Sequence, residues 1–92
     1  MNLGVYIKQP SDVTDYDVDY SEWLVDADAV HSATATASPD TITVESVFYS
    51  SSVVKVWLSG GANNQLYKIT VRATTDDGRV REDEFRVKVK DL

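Results

Sequence analysis

Apolar and polar residues alternate with a period of two along almost the whole chain. Between positions 67 and 74, every odd-numbered residue is apolar or aromatic and every even-numbered residue is polar. Successive side chains of a β-strand point to opposite faces, so this pattern is typical of strands with one buried and one solvated face. No segment repeats apolar residues at helical spacing over three turns. The chain is therefore predicted to be all-β.

Seven segments have strand character, and turn residues bound most of them. They are "GVYIK" (4–8), "TDYDVDY" (14–20), "VHSATATA" (30–37), "TITVESVFY" (41–49), "VVKVWL" (53–58), "LYKITVRAT" (66–74) and "VREDEFRVKVK" (80–90). Seven short strands in 92 residues predict a single immunoglobulin-like β-sandwich of antiparallel strands, forming one domain over residues 1–92. In "SEWLVDADAV" we expect at most one short helical turn, with Ser21 as its cap and Trp23 packing inward.

The last two segments form a hairpin whose register follows from their buried faces. The inward residues of both segments are odd-numbered, as for Phe85. Directly paired residues must therefore sum to an even number, because a shift of one residue would turn a whole face to solvent. A three-residue loop at 76–78, with Gly78 in the left-handed conformation, meets this condition. It places Arg72 opposite Glu82 on the solvated face.

Asp83 conflicts with this register. Its odd number places it on the inward-facing side of the strand, opposite Val71. An unpaired carboxylate is costly to bury among apolar side chains. A β-bulge near Arg81–Asp83 would return it to solvent. The sequence does not decide whether that bulge exists.

Two aromatic residues have positions that the alternation alone does not explain. Tyr67 opens its strand after a glycine-containing turn, where β-sandwiches place a tyrosine corner whose hydroxyl bonds back to nearby backbone. The alternative is a tyrosine that only fills the core. Trp57 is out of phase with Val56 and Leu58, so it faces solvent, a partner or a covering N-terminal segment.

The acidic stretch "TDYDVDYSEWL" (14–24) raises the question of a cation site. Asp15, Asp17 and Asp19 share one face of a strand and form a row. Calcium requires six to eight oxygens that converge on one point, which a straight strand does not provide, and the EF-hand spacing is absent. We interpret the acids as a solvated face that keeps an edge strand from pairing with other chains.

Composition limits the functions open to such a domain. The net charge is −6 and the nine basic residues are scattered, which argues against a nucleic-acid surface. The absence of cysteine excludes disulfides and cysteine-based metal or redox chemistry. The segment "MNLGVYIKQP" is too short and mixed for a signal sequence, and no apolar run reaches membrane-spanning length. We expect a soluble protein made in the cytoplasm.

No group of residues has the pattern of an active site. His31 is the only histidine, and no nucleophile elbow accompanies it. Neither a basic residue nor a helix follows "SGG" (59–61), as a phosphate-binding loop requires. Glu82 and Glu84 lie along a strand face rather than across a cleft. We predict no catalytic, cofactor-binding or metal-binding residues and no enzymatic activity.

Several motifs resemble a family of small phage and prophage proteins. They are Tyr16-Asp17-Val18-Asp19, the turn Trp57-Leu58-Ser59-Gly60-Gly61, a strand led by Tyr67, the hairpin Gly78-Arg79 and the charged final strand from Phe85 to Lys90. The centre of the chain (30–50) diverges. The family is known as phage-related immunoglobulin-like proteins, some of them fiber–tail or head–tail adaptors. The resemblance implies a structural role in the virion and no catalytic or ligand residues.

Three functions remain open at this stage. The first is a structural or adaptor module of a phage or prophage particle, made in the bacterial cytoplasm, monomeric when isolated, and bound to tail, fiber or connector proteins. The alternatives are a carbohydrate-binding or adhesion module, which would need a strip of exposed aromatic residues, and a calcium-dependent domain. For the first function, the predicted partner contacts are Trp57, Lys55, Lys68, Arg86, Lys88 and Lys90.

Overall fold

Two β-sheets pack face to face in the computed structural model, which describes residues 2–92. The seven strands are β1 (Asn2–Lys8), β2 (Val13–Asp19), β3 (Val30–Ser38), β4 (Ile42–Tyr49), β5 (Val53–Gly60), β6 (Leu66–Thr75) and β7 (Val80–Val89). One sheet has the order β1-β7-β6-β3 and the other β2-β5-β4. The predicted all-β sandwich of seven strands is therefore confirmed. Met1, which the predicted domain 1–92 includes, lies outside the described residues.

The strand order resembles that of a constant-type immunoglobulin sandwich except at the first strand. Such domains pair their second, fifth and fourth strands in one sheet and their seventh, sixth and third in the other, as here. Their first strand joins the second, whereas β1 runs parallel to β7. This parallel pair differs from the expected antiparallel arrangement. The immunoglobulin-like subtype stays a prediction.

The inner faces of the two sheets form one apolar core. In β5 the even-numbered Val54, Val56 and Leu58 are fully buried, and in β6 the odd-numbered Ile69 and Val71 are. Burying each such side chain contributes about 1.5–3 kcal/mol. The outer faces therefore carry the residues of opposite parity, which determines where the candidate contact residues lie.

The β6–β7 hairpin has the predicted register. Arg72 pairs with Glu82, and Thr75 N–H donates to the Arg79 carbonyl at 2.8 Å, which closes a three-residue loop at 76–78. Gly78 has a φ of 88°. The pairing continues without a bulge, so Asp83 stays opposite Val71, with 3% of its surface exposed.

Asp28 holds the tip of this hairpin from the connection between β2 and β3. Its side chain is fully buried and accepts hydrogen bonds from Ala29 N–H at 2.9 Å, Asp77 N–H at 3.1 Å and Arg79 Nη1 at 2.9 Å. Burial alone would raise the pKa of this carboxyl. The hydrogen bonds, with Thr75 as a further donor, outweigh burial and lower the pKa below its usual value.

The connection between β2 and β3 also contains the turn expected around Trp23. The Tyr20 carbonyl accepts hydrogen bonds from Trp23 N–H and Leu24 N–H, both at 3.0 Å, but the turn does not extend into a helix. Ser21 is not the capping side chain. Its own N–H donates to Asp19 Oδ1 at 2.9 Å, an Asx turn in which Asp19 is the side-chain acceptor. Trp23 is partly buried against the core.

Tyr67 closes the opposite end of the sandwich. Its side chain is fully buried, and its hydroxyl accepts a hydrogen bond from Ala62 N–H at 2.8 Å and shares another with the Thr41 hydroxyl at 2.6 Å. A bond to backbone five residues upstream is the geometry of a tyrosine corner. Gly61 beside it has a φ of 102°, and a Cβ there would lie 2.6 Å from Val89 Cγ2. Both features fix the path of the chain from β5 to β6.

Lys8 is buried at this same end, which the sequence did not predict. Only 1% of its surface is exposed, and its ammonium donates to the carbonyls of Gly60 at 2.6 Å and Gln9 at 2.9 Å. Burial lowers the pKa of Lys8, and the nearby Asp12 charge opposes that shift. The carbonyl bonds attach the end of β1 to the end of β5.

Replacing Tyr67 with Phe removes both hydroxyl bonds and leaves Ala62 N–H without its acceptor. We expect the free energy of unfolding to fall by about 1–2 kcal/mol with the fold retained. Chemical denaturation of the two proteins measures the difference. Tyr49→Phe, at an exposed tyrosine, is the control and should change the midpoint little. An unchanged midpoint for Tyr67→Phe would mean that the hydroxyl contributes nothing.

Replacing Asp28 with Asn should destabilise the protein in a pH-dependent manner. The folded-state pKa of Asp28 is lowered, so its ionised form stabilises the fold above the unfolded value near 3.8, and this contribution is lost as pH falls through the folded pKa. The difference in free energy of unfolding between wild type and variant should therefore have its largest value above pH 3.8 and decrease below it. Denaturation at a series of pH values tests this, with the exposed Asp40→Asn as control. A difference that is constant with pH would contradict the assignment.

Candidate interaction surfaces

The structure divides the predicted contact residues between the two outer faces of the sandwich. Trp57 and Lys55 lie on the outer face of the three-stranded sheet, since their neighbours Val54, Val56 and Leu58 fill the core. The basic residues lie on or beside the outer face of the four-stranded sheet. They are Lys68, Arg86 and Lys88, with Lys90 just after the end of β7. The two groups cannot form one continuous contact.

The first surface, the acidic–aromatic face, consists of Asp15, Asp17, Phe48, Lys55 and Trp57. The pairing of β2 with β5 places Asp17 opposite Lys55 and Asp15 opposite Trp57. Lys55 Nζ lies 3.2 Å from Asp15 and 3.8 Å from Asp17. The hydrogen bond that Lys55 donates to Asp15, followed by the charge of Asp17, raises the pKa of Lys55. Lys55 therefore neutralises part of the acidic row.

A bulge in β4 adds an aromatic side chain to this face. The register shifts between Val44 and Ser46, so Val47 turns toward the core and Phe48 turns outward opposite Lys55, with 59% of its surface exposed. Trp57 is half-buried beside it, opposite Ser46, and β1 belongs to the other sheet and does not cover it. Sequence analysis missed Phe48. The available signal was the break in alternation from Val44 to Val47.

The second surface, the basic face, combines cations with exposed aliphatic side chains. Across the four-stranded sheet, one row joins Val5, Arg86 and Lys68, and the next row joins Ile7, Lys88 and Leu66. The exposed fractions of the aliphatic residues are 59% for Val5, 66% for Ile7 and 45% for Leu66. Exposed apolar side chains grouped among charges are characteristic of protein-contact surfaces.

Local contacts hold two of these cations in place. Lys88 Nζ donates to the Asn64 carbonyl at 2.7 Å, and Arg86 Nη2 lies 3.5 Å from Glu84 Oε2. Lys68 is exposed. Arg72 and Glu82 face each other farther along the same hairpin. The excess of positive charge is therefore confined to the end of the sheet near Lys68, Arg86 and Lys88.

The remaining candidate residues are dispersed over the described part of the chain. Within residues 2–92, no group of three or more His, Asp or Glu is placed to hold a metal ion. His31 Nδ1 lies 3.2 Å from Asp76 in an exposed pair. Trp23 packs against Tyr20, with the Arg81 guanidinium 5.4 Å from its ring centroid. Phe48 and Tyr49 are the exposed aromatic side chains of β4, next to the half-buried Trp57 on β5.

The fold and the two faces define a small all-β structural domain that offers charged and apolar surfaces for contact. Residues 8–88 match the model of the family described as podophage GP4 fiber-tail adaptor protein gp77, and the chain belongs to that family. The match confirms the phage-protein resemblance inferred from the sequence, and it extends from the last residue of β1 through most of β7. No curated protein matches the chain. Over residues 2–92, no helix is long and apolar enough to span a membrane.

Calcium should not stabilise this protein. Asp15 and Asp17 contact Lys55, and Asp19 Oδ1 accepts the Ser21 N–H, which lowers the pKa of Asp19. We expect the Tm to be the same in millimolar calcium and in chelator at equal ionic strength. Differential scanning calorimetry of both samples provides the measurement. A Tm that rises with calcium and saturates would establish a cation site in the acidic stretch.

Proposed function

We propose that this protein is a non-enzymatic adaptor of a phage particle and joins two partner proteins through its opposite outer faces. The observation that carries the proposal is the match of residues 8–88 to a fiber–tail adaptor family. The separation of the predicted contact residues supports it further. An adaptor must hold two bodies at once, and two faces on opposite sides of a rigid sandwich allow both contacts without overlap.

The basic face suits a partner with an acidic surface. Lys68, Arg86 and Lys88 would attract it over a distance of about one Debye length, roughly 8 Å at physiological salt. Exposed aliphatic side chains between the cations, such as Ile7 and Leu66, supply apolar area that is buried on contact. The contact should weaken as salt concentration increases, because its charges stay at the solvent-accessible rim.

The acidic–aromatic face suits a partner with basic residues. Phe48 offers an exposed ring, and Trp57 beside it is already half-buried, so little side-chain entropy is lost when a partner covers it. Asp15 and Asp17 exceed the single cation Lys55 by one charge. The face therefore combines aromatic anchors with a negative rim, in contrast to the basic face.

The isolated protein is proposed to be a monomer that acts in the virion and takes no part in catalysis. A net charge of −6 opposes self-association. The edge strand β2 carries the acidic row, which discourages pairing with a second copy. A role based on protein contacts needs neither a cofactor nor an active site.

Face-specific variants test the proposal. Lys68→Gln with Lys88→Gln should release the partner of the basic face, and Trp57→Ala should release the partner of the other face. Arg72→Gln is the matched control, because Arg72 is an exposed cation on the same sheet outside the basic rows. Binding of tagged protein to purified tail and fiber proteins, measured separately, should decline by about tenfold or more for one partner in each variant. Thermal melts verify that each variant folds.

Two results would contradict the proposal in different ways. If both variants bind both partners as the wild type does, the adaptor uses other surfaces. If the wild-type protein is absent from purified phage particles, the adaptor role itself is wrong.

A further inference from the structure

The four edge strands of the two sheets differ in how well they are protected against pairing with another strand. β2 carries the acidic row, and β4 contains the bulge between Val44 and Ser46. β1 has a register shift of its own, and the ring of its Tyr6 lies 5.1 Å from the ring of Tyr16 in the other sheet. Charges, irregular pairing and covering contacts are devices that prevent edge pairing. Three of the four edges therefore have such protection.

β3 is the edge strand that lacks these devices. Within residues 2–92 it pairs with β6 alone, and the pairing runs from Ser32 to Ser38 without a register shift. This segment, "SATATAS", contains no charged residue, glycine or proline. Alternate residues of an antiparallel edge strand direct their backbone N–H and C=O groups away from the sheet. β3 therefore presents a regular, uncharged row of backbone donors and acceptors.

The inner side of β3 leaves part of the core uncovered. Ala33, Ala35 and Ala37 pack against the core but are only partly buried, whereas their partners in β6 are fully buried. On the same flank, β3 contacts β4, whose Val44 and Val47 are also only partly buried against the core. An alanine side chain ends at its methyl group. A further strand beside β3 would therefore bury additional apolar surface by placing larger side chains over these residues.

The outer side of β3 adjoins the basic face. Ser38 pairs with Lys68, so the row that joins Arg86 and Lys68 continues to the free edge of β3. Arg72, the other exposed cation beside β3, faces Glu82. Lys68 has no acidic residue opposite it and, within residues 2–92, forms no ion pair. A strand added beside β3 would lie about 9–10 Å from β6, a span that a lysine and a glutamate can bridge over a small serine.

We propose that β3 accepts an extended segment of a partner protein as a fifth strand of the four-stranded sheet. The segment alternates apolar residues, which cover the alanines of β3, with polar residues that include an acid near Lys68. In strand addition, main-chain hydrogen bonds supply affinity and alternate side chains supply specificity. A second copy of this chain fits less well, because its own β3 would bring only alanines to the flank and both copies carry a net charge of −6. The inference rests on the proposed adaptor function, for which it names a contact beyond the two outer faces.

A peptide of alternating valine and glutamate, about eight residues long and blocked at both ends, tests the edge. Added to the isotope-labelled full chain, it should produce saturable NMR shifts and slower hydrogen exchange at backbone amides of residues 32–38. A peptide with all valines before all glutamates should produce neither. Alternate residues of a strand use opposite edges, so N-methylation of every valine or of every glutamate should weaken binding at least tenfold for one of the two peptides only.

Two lysine substitutions at neighbouring positions distinguish the edge from the outer face. Ala35→Lys places a charge on the inner side, where the added strand must pack, and should weaken the peptide about tenfold. Thr34→Lys is the matched control, since it adds the same charge on the exposed outer side and should bind the acidic peptide at least as well as the wild type does. Thermal melts verify folding, and the methylated peptides test the wild type without any substitution.

The charge preference has its own comparison. Lys68→Gln should weaken the glutamate peptide several-fold, whereas a peptide with glutamine in place of glutamate should bind wild type and variant equally.

Three results would overturn the proposal. They are equal weakening by both N-methylated peptides, unchanged binding by folded Ala35→Lys, and a wild-type dimer in sedimentation that Ala35→Lys separates, since β3 would then pair with a second copy. The experiment needs no phage protein. Failure of strand addition is therefore distinguishable from failure of the adaptor role, which particle composition decides.

Discussion

The three-residue loop at the tip of the β6–β7 hairpin determines the side of the sheet on which every residue of both strands lies. With two residues, the pairing would shift by one and the buried valines would face solvent. Asp28 holds the loop through two donors, Asp77 N–H and Arg79 Nη1, whose positions depend on the loop length. The same register sends Lys68, Arg86 and Lys88 outward together. The composition of the basic face is therefore a consequence of one turn.

This register has an unfavourable consequence as well, because it directs Asp83 into the interior. A sequence optimised for stability alone would have an apolar residue opposite Val71. The chain instead retains the carboxylate, supplies Arg81 as its partner and places the Tyr20 hydroxyl beside it. Local conflicts of this kind are expected where function requires them.

The sequence predicted the seven strands, the hairpin register and the sheet face of Trp57, because strict alternation and turn chemistry carry that information. It could not predict the bulge between Val44 and Ser46, since in a short strand one extra residue cannot be distinguished from an ordinary irregularity in the alternation. The burial of Lys8 depends on the carbonyl of Gly60, which is distant from Lys8 in the sequence. The pairing of β1 with β7 likewise depends on long-range geometry. The candidate contact residues were identified by type, but only the strand order divides them between two faces.

Division between opposite faces also limits how the adaptor can transmit force. In the proposed role, both contacts would load the same core, which contains the fully buried Val56 of β5 and Ile69 and Val71 of β6. Close-packed interiors have low compressibility and transmit strain rather than absorb it. The hydrogen bonds of Tyr67 and Lys8 join the connections and strand ends of the two sheets at one end, so sliding of one sheet over the other would break them. In the proposed role, a small sandwich of this kind would hold the two partners at a fixed separation, which an adaptor built from a flexible linker would not do.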